Sequence, residues 1–337
     1  MAEVYENISL KPYNTFGIDA HANYFTQCTS VEDFYKIIND PEYRNTKKLI
    51  LGGGSNILFT KDFEGLIIQN SITGVEVVEE NEKTVTIRAG AGEDWDSFVE
   101  YTVNNDWCGL ENLSYIPGNV GASPIQNIGA YGEEAKNSIK EVETIDLENC
   151  EKVIYQNKEC RFGYRNSIFK EERKGKSIIT HVVFTLQKKY VFNLDFGILK
   201  KTVNQRGEIT LQNIRDSVIE IRSHKLPDPK ELGSAGSFFK NPVISEEKLR
   251  TVQQKFPNIP YYEIEKDTIK IPAAWLIDKL GWKGYRKGDA GVHKNQALVL
   301  VNYGKADGEQ IYLLSQQIIE SVEEKYGIHL EYEVNIL

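Results

Sequence analysis

Residues 116–132 have the sequence IPGNVGASPIQNIGAYG. The stretch contains four glycines, two prolines, two asparagines and a glutamine, but no lysine, arginine, aspartate or glutamate. Glycine lets backbone N–H groups approach a ligand closely, proline stiffens turns, and Asn and Gln supply hydrogen-bond donors and acceptors. The composition therefore predicts a loop that binds a large, partly anionic ligand.

A second glycine run, at residues 52–56, lies between the apolar stretches 49–51 and 57–59. This pattern predicts a strand-loop-strand or strand-loop-helix turn. Consecutive glycines can present a nest of N–H groups to a phosphate. A turn that binds nothing is the alternative explanation of the triple glycine on its own.

Neither glycine run matches the common nucleotide-binding motifs. A P-loop requires Gly-Lys-Ser/Thr after its glycines, and both runs lack it. Residues 90–95 begin like a dinucleotide-binding motif, but Trp95 occupies the position of the third glycine. P-loop and Rossmann folds are therefore disfavoured.

Composition narrows the class of protein. With 337 residues, 40% of them hydrophobic, the chain is long enough for two or three domains. A formal net charge of -9 argues against binding to nucleic acid. The sequence has neither a basic and then apolar amino-terminal segment nor a run of about 20 apolar residues. We therefore expect a cytoplasmic protein that does not bind membranes.

The cysteines and histidines do not have the spacing of metal ligands. No CxxC, HxH or HxxxH pattern occurs in the sequence, so we expect no metal site. The cysteines are expected to be reduced thiols. They are Cys28, Cys108, Cys150 and Cys160.

Local patterns predict a mixture of strands and helices. Residues 84–89, 142–147 and 178–186 are rich in β-branched side chains and predict an antiparallel or mixed sheet. A capping box at residues 30–33 predicts a helix start, and the apolar face of residues 93–103 predicts a second helix.

Further helices are predicted in the carboxyl-terminal third. They run from Ile271-Pro272 to Gly281 and from Ile311 to Gly327, and an alternating strand follows from Leu330. A change in composition at residues 222–242 predicts a domain junction there.

Five ordered motifs together resemble one family of flavoenzymes, the UDP-N-acetylenolpyruvoylglucosamine reductases of the longer-loop type I subgroup. The resemblance extends from Asn14 nearly to the carboxyl terminus. The motifs are LGGGSN at 51–56, the stretch at 116–132, RFGYRNSIFK at 161–170, KLPDPKELGSAGSFFKNP at 225–242 and AGVHKNQALVLVN at 290–302.

The resemblance implies an α+β fold. This fold has a FAD-binding domain of the p-cresol methylhydroxylase (PCMH) and vanillyl-alcohol oxidase type, made of two α/β subdomains, and a carboxyl-terminal α+β substrate-binding domain. The expected limits are 1–66 for a small αβ subdomain, 67–224 for a larger subdomain with a mixed sheet, and 225–327 for the substrate-binding domain. A final strand at 328–337 is expected to return to the first subdomain.

The resemblance also implies a reaction. UDP-N-acetylglucosamine enolpyruvate would be reduced to UDP-N-acetylmuramate during peptidoglycan precursor synthesis, with non-covalent FAD as cofactor and NADPH as co-substrate. Hydride would pass from reduced flavin N5 to the enolpyruvyl CH2, and a proton would pass from Ser237 to C2. We expect the chain to act as a monomer.

Three residues match the catalytic positions of this family. Arg165 would bind the substrate carboxylate, Ser237 would donate the proton, and Glu333 would orient water or the carboxylate end of the enolate. Without the motifs, Arg165 would be interpreted as a surface ion-pair residue, Ser237 as a polar loop residue and Glu333 as a solvated carboxylate.

The expected binding residues fall into two sets. The cofactor set lies in the two glycine runs and comprises Gly52, Gly53, Gly54, Ser55, Asn56, Ile116, Pro117, Gly118, Gly121, Ala122, Gln126, Asn127, Gly129, Ala130 and Tyr131. The substrate set comprises Lys225, Asn241, Tyr262, Lys283, Gln296 and Phe196.

Phe196 is a departure from the family pattern, because a tyrosine usually closes over the substrate diphosphate at this position. The missing hydroxyl predicts looser closure, unless Tyr190 or a water replaces it. Two other functions stay open: a FAD oxidase of the same fold acting on a sugar or lactone, and a sugar-nucleotide binding module without flavin.

Overall fold

The computed structural model describes residues 3–337 of the chain. These residues form two compact units. Unit 1 comprises the residues up to Ile8 together with Ala22–Gly54 and Phe63–Arg222, and unit 2 comprises Ser9–His21, Ser55–Asp62 and Ser223–Leu337. The division into three domains at residues 66 and 224 stays a prediction.

The described residues contain seven α-helices and twenty strands. The helices are α1 Val31–Asn39, α2 Trp95–Asn104, α3 Leu199–Gln205, α4 Leu211–Lys225, α5 Glu246–Lys255, α6 Ala273–Lys279 and α7 Gly308–Tyr326. The strands are β1 Val4–Ser9, β2 His21–Cys28, β3 Lys48–Leu51, β4 Ile57–Leu58, β5 Phe63–Asn70, β6 Val75–Glu80, β7 Thr84–Gly90, β8 Gly129–Ala130, β9 Glu133–Glu134, β10 Ile139–Asp146, β11 Lys152–Gln156, β12 Ser177–Gln187, β13 Gly233–Ser237, β14 Val243–Ile244, β15 Tyr262–Glu265, β16 Thr268–Lys270, β17 Arg286–Lys287, β18 Ala290–Val292, β19 Val299–Asn302 and β20 Asn335–Ile336.

The larger sheet of unit 1 has the strand order β11-β10-β12-β7-β6, and every pairing in it is antiparallel. The prediction of a mixed sheet for residues 67–224 is therefore wrong, because this sheet is antiparallel throughout. Short turns connect β6 to β7 and β10 to β11, and a short connection can join only antiparallel neighbours. One face of the sheet packs on α2, where Trp95, Phe98 and Phe184 are buried together.

The smaller sheet of unit 1 has the order β1-β2-β5-β3, with β5 parallel to both β2 and β3. Helix α1 covers it with Phe34, Ile37 and Ile38, which are buried. The Ser30 hydroxyl oxygen accepts a hydrogen bond from the Asp33 N–H, so Ser30 caps the start of the helix as predicted. The Asp33 carboxylate accepts from the Thr29 N–H, one residue before the position that the reciprocal bond of a capping box requires. The chain leaves β3 at Leu51 directly into the triple glycine, and β4 begins at Ile57. This confirms a strand-loop-strand turn.

Unit 2 has a four-stranded sheet in the order β13-β19-β18-β17, on which α7 packs with Ile311, Leu314 and Ile318. Helix α7 ends at Gly327 with φ +62°, and α6 ends before Gly281 with φ +79°, as the sequence predicted. The expected strand at 328–337 is limited to β20, which pairs in parallel with β4. No helix among residues 3–337 is long and apolar enough to span a membrane.

Candidate active site

The two glycine runs meet in unit 1. A Cβ atom added at Gly53 would lie 2.6 Å from Asn119 Oδ1 and 3.3 Å from the Gly118 Cα. Only a glycine therefore allows these two backbones to approach so closely. The structure thus brings together the two runs that the sequence assigned to one ligand, although they are more than 60 residues apart in the chain.

Asn119 joins the runs and was not among the predicted site residues. Its Nδ2 donates to the Gly92 carbonyl at 2.5 Å, which fixes the orientation of the amide. Its Oδ1 is buried beside Gly53 and has no hydrogen-bond partner within the described part of the chain. An unsatisfied buried acceptor beside glycines is typical of a ligand site in which the missing donor belongs to the ligand or to water. These loops therefore fit a cofactor with phosphate and hydroxyl groups.

Arg165 contacts the far end of the long run. Its Nη2 donates to the Gly129 carbonyl at 2.7 Å, and a Cβ added at Gly129 would lie 3.0 Å from Nη1. Arg165 follows Tyr164 in a tight turn closed by a bridge between Gly163 and Asn166, and its guanidinium lies over the Tyr164 ring. The predicted catalytic arginine therefore lies against the predicted cofactor loop.

Backbone strain is concentrated at this loop. The φ angles are +59° at Tyr115, +45° at Asn127, +48° at Tyr131 and +52° at Arg165. Residues other than glycine seldom adopt positive φ angles, and residues that do so cluster at functional sites. The Asn127 side chain holds the turn before Arg165, because its Nδ2 donates to the Gly163 carbonyl at 3.0 Å.

One predicted cofactor residue has a packing explanation. A Cβ at Gly121 would lie 2.5 Å from the Ala91 Cβ, and the Gly121 N–H donates to the Ala91 carbonyl at 2.9 Å. Gly121 is therefore required by the protein itself. The other predicted residues of the run lie on the same loop, and those that are exposed or half-buried are Ile116, Pro117, Gly118, Ala122, Gln126, Gly129, Ala130 and Tyr131.

Ser237 lies at the end of β13 in unit 2. The pairing of β13 with β19 shifts register between Ser234 and Ser237, and Gly236 has φ +67°. Bulges of this kind redirect a side chain and are frequent beside active sites. Ser237 is half-buried, and Phe238 and Phe239 after it are fully buried, so the bulge is anchored in the core of unit 2.

Glu333 lies next to this bulge. Its N–H donates to the Phe238 carbonyl at 2.9 Å, and Tyr332 forms a bridge with Phe239. Its carbonyl accepts a hydrogen bond from Asn56 Nδ2 at 3.1 Å. The backbone of Glu333 is therefore bonded to Phe238, the residue that follows Ser237. The Asn56 side chain, which was expected to bind the cofactor, instead holds the backbone of Glu333.

Five residues of the substrate set belong to unit 2. Asn241 Oδ1 accepts a hydrogen bond from the Ala273 N–H at 2.9 Å and so caps α6, while Lys283 Nζ pairs with Asp278 Oδ2 at 2.8 Å near its other end. Gln296 is half-buried, Lys225 is exposed, and Tyr262 is 60% exposed on β15.

Phe196, the sixth substrate residue, belongs to unit 1. It is half exposed, and its ring meets the Tyr131 ring edge to face at 6.3 Å. The Tyr190 hydroxyl donates to Asp106 Oδ1 at 3.2 Å, so it already has a partner in this conformation. No group of His, Cys, Asp and Glu in residues 3–337 is arranged to hold a metal ion.

Family models match two parts of the chain. Residues 22–151 match the model described as FAD binding domain, and residues 228–337 match UDP-N-acetylenolpyruvoylglucosamine reductase, C-terminal domain.

Relatives of the same description cover the whole chain. The UDP-N-acetylenolpyruvoylglucosamine reductase of Flavobacterium johnsoniae is 47% identical over 99% of this chain and 100% of its own length. Those of Bacteroides fragilis and Pseudomonas putida are 46% and 43% identical, each over 98% of this chain and at least 98% of their own lengths.

Solved structures support the fold. The reductase from Thermus caldophilus has a TM-score of 0.69 at 23% identity and covers 100% of this chain and 99% of its own. A solvent-stable cholesterol oxidase has a TM-score of 0.50 at 10% identity, over 98% of this chain and 87% of its own. The fold and the meeting glycine runs define a flavoprotein with a FAD-binding domain of the PCMH type. Within that class, the chain belongs to the UDP-N-acetylenolpyruvoylglucosamine reductase family.

Proposed function

We propose that this chain reduces UDP-N-acetylglucosamine enolpyruvate to UDP-N-acetylmuramate with NADPH. FAD, when bound, would supply the redox chemistry, which is the transfer of a hydride from NADPH to the enolpyruvyl CH2. The observation that carries the proposal is the position of Arg165, whose guanidinium contacts the predicted cofactor loop at Gly129. A carboxylate-binding group at the edge of a flavin loop is what an enolpyruvyl substrate requires.

Arg165 is assigned to the carboxylate of the substrate. Addition of hydride at the CH2 pushes negative charge through C2 onto this carboxylate, so a fixed cation stabilises the product of that step more than the starting state. A guanidinium has five N–H donors in a planar fork, so it can hold a backbone carbonyl and a carboxylate together. The bond to Gly129 fixes the fork before the substrate arrives.

Ser237 is assigned as the proton donor to C2. A serine hydroxyl is a weak acid, but the enolate carbon is a strong base, so a hydroxyl held in place is sufficient. The bulge between Ser234 and Ser237 supports this role, because it fixes the direction of a half-buried side chain. Glu333 is assigned to orient water or the enolate, on the strength of its backbone contact with Phe238.

The substrate set is assigned to the UDP-sugar. Lysine ammonium groups pair with phosphate as compact charges, which suits Lys225 and Lys283 to a diphosphate. Lys283 is held by Asp278 at 2.8 Å, so a diphosphate would compete with this half-exposed pair. Such pairs contribute little to stability, and the exchange is therefore inexpensive.

The proposal is tested by NADPH consumption under anaerobic conditions. We expect purified protein to be yellow and to consume one NADPH per UDP-N-acetylglucosamine enolpyruvate added, with no more than one NADPH per bound FAD consumed when the substrate is omitted. Consumption that needs oxygen in place of the substrate would indicate an oxidase of the same fold. Protein that neither contains FAD nor takes it up would indicate a binding module.

The monomeric state is also a proposal. It rests on the assignment of every site residue to a single chain. Light scattering on a size-exclusion column is expected to give a mass close to 38.4 kDa. A mass of twice that value would overturn it.

A further inference from the structure

Tyr115, the residue just before the long glycine run, is held in an unusual conformation. Its φ is +59°, in the left-handed region that residues with a side chain adopt at a cost in energy. The next residues, Ile116 to Gly118, begin the predicted cofactor loop. The conformation of Tyr115 therefore sets the direction in which that loop starts.

Charged side chains hold both backbone polar groups of Tyr115. Its N–H donates to Asp96 Oδ1 at 2.5 Å, and its carbonyl accepts a hydrogen bond from Arg222 Nε at 2.9 Å. Each of these bonds satisfies a backbone polar group that would otherwise be left without a partner. Two such bonds on one peptide offset the cost of the left-handed conformation.

The two charged groups are themselves fixed by the helices that carry them. Asp96 lies in the first turn of α2, and Arg215 of α4 binds it with two hydrogen bonds, at 2.6 and 3.0 Å. Arg215 is only 4% exposed. Arg222 lies seven residues further along α4, which is two helical turns and so on the same face. Helix α4 therefore presents both arginines to the start of the loop.

The start of α2 holds the following residues of the loop. The Trp95 N–H donates to the Gly118 carbonyl at 2.9 Å, and the Val120 N–H donates to the Glu93 carbonyl at 2.9 Å. The first part of the loop is thus fixed along its length by protein groups. A loop that is fixed before binding loses less entropy when the ligand binds.

Burial lowers the pKa of the Arg222 guanidinium, and repulsion from Arg165 lowers it further. Placing a second cation beside Arg165 costs free energy, which the attraction of Asp96 offsets only in part, since the pKa of Arg222 stays below its usual value. A residue kept at such a cost has a role that a neutral or exposed side chain would not perform. The bond from Nε to the Tyr115 carbonyl supplies one.

We propose that Arg222 and Asp96 are positioning residues for the cofactor, which hold Tyr115 in its left-handed conformation and so keep residues 116–118 ready to bind FAD. This inference rests on the FAD binding of the proposed function. Arg222 has this role because its Nε–H donates to the Tyr115 carbonyl, and the role does not require the positive charge of the guanidinium.

Three substitutions of Arg222 separate the hydrogen bond from the charge. In Arg222→Gln the amide nitrogen stands at the same number of bonds from Cα as Arg Nε, so the donor is kept and the charge is lost. In Arg222→Lys the charge is kept, but a methylene stands in the place of Nε. Arg222→Met has neither. Arg206→Gln is the control, because Arg206, which follows α3, pairs with Glu220 of α4 and does not contact the loop.

The measurement is the dissociation constant of FAD for each apoprotein, from flavin fluorescence, with the melting temperature of the apoprotein recorded in parallel. We expect Arg222→Gln and the control to stay within about threefold of wild type and Arg222→Lys and Arg222→Met to bind at least about tenfold more weakly. Any other order overturns the proposal. The proposal is wrong if Arg222→Lys binds FAD more tightly than Arg222→Gln, or if all three variants lose FAD affinity equally. It is also wrong if the melting temperatures fall while the FAD dissociation constants are unchanged.

Failure of the FAD binding on which the inference rests is distinguishable, because wild-type protein would then bind no FAD at all. If the Arg222 variants do not fold, Asp96→Ala tests the same idea. It removes the acceptor of the Tyr115 N–H, so FAD is expected to bind at least about tenfold more weakly. Unchanged FAD binding in folded Asp96→Ala protein would overturn the proposal.

Discussion

At the scale of single residues, the strongest functional signal is the contact between Arg165 and the long glycine run. A sequence motif identified Arg165 as a candidate, but no local pattern predicted that its guanidinium would reach Gly129, 36 residues earlier. Asn119 and Arg222 were missed for the same reason. Asn119 is one of several polar residues in its run, and only the approach of Gly53 makes its buried Oδ1 notable.

Arg165→Lys tests whether the planar fork matters beyond the charge. Lysine keeps the charge but cannot hold a carbonyl and a carboxylate in one plane. We expect oxidation of the reduced flavin by substrate to slow about 100-fold, in the range found when one transition-state donor is removed. Arg161→Lys is the matched control, because Arg161 is exposed and has a similar φ of +44°. An equal effect of the two substitutions would contradict the role of Arg165.

Phe196→Tyr tests the departure from the family pattern. The added hydroxyl is expected to lower the KM for the enolpyruvyl sugar about two- to tenfold, the value of one net hydrogen bond. Tyr190→Phe is the companion variant, and its KM is expected to be unchanged because the Tyr190 hydroxyl is bonded to Asp106. A raised KM in Tyr190→Phe would show that Tyr190 supplies the missing hydrogen bond. An unchanged KM in Phe196→Tyr would contradict the idea that the missing hydroxyl at position 196 weakens closure over the substrate.

At the scale of elements, most helices and strands follow from local patterns. The predicted strands at 84–89, 142–147 and 178–186 are β7, β10 and β12, and the predicted helix after Ser30 is α1. These elements are set by β-branched side chains and capping residues that are neighbours in sequence. The order of strands depends on pairings between distant residues, and the sequence left it open between antiparallel and mixed.

One consequence of this order is a charged cluster across β7, β10 and β12. Arg88 binds Glu143 with two hydrogen bonds of 2.9 Å, and its Nη2 lies 2.9 Å from His181 Nδ1. Burial and the Arg88 charge hold the pKa of His181 down to about 4. Burial alone would raise the pKa of Glu143, but Arg88 and Lys152 bring it down to about 2.

Both shifts predict a loss of stability in acid. Protons bind the unfolded chain more readily than the folded one, at His181 between pH 6.5 and about 4 and at Glu143 between pH 4.5 and about 2. At pH 5 the His181 shift alone is expected to lower the free energy of unfolding by about 2 kcal/mol relative to pH 7. Urea denaturation at both pH values measures the loss.

His181→Gln removes the group that takes up the proton, so its unfolding free energy should fall less between pH 7 and pH 5 than that of wild type. His329→Gln is the control, because His329 is an exposed residue and its replacement leaves the cluster intact. A wild-type pH dependence in His181→Gln would show that His181 does not cause the loss.

At the scale of the whole molecule, the chain passes between the two units several times, because residues 9–21 and 55–62 belong to unit 2. Sequence patterns describe domains as continuous ranges and cannot predict such crossings. The family assignment does not depend on them, since the relatives match 98% or more of the chain. The fold class was therefore predictable from ordered motifs, whereas the partners of individual residues were not.

The central claim is that Ser237 completes the reduction by protonating C2. It is tested by following flavin absorbance without oxygen in Ser237→Ala, with Ser234→Ala, a buried serine of the same strand, as control. We predict that NADPH reduces the flavin at the wild-type rate, whereas oxidation by UDP-N-acetylglucosamine enolpyruvate slows by about 10² to 10⁴. An equal loss in both half-reactions, or an unchanged oxidation rate, would contradict the account.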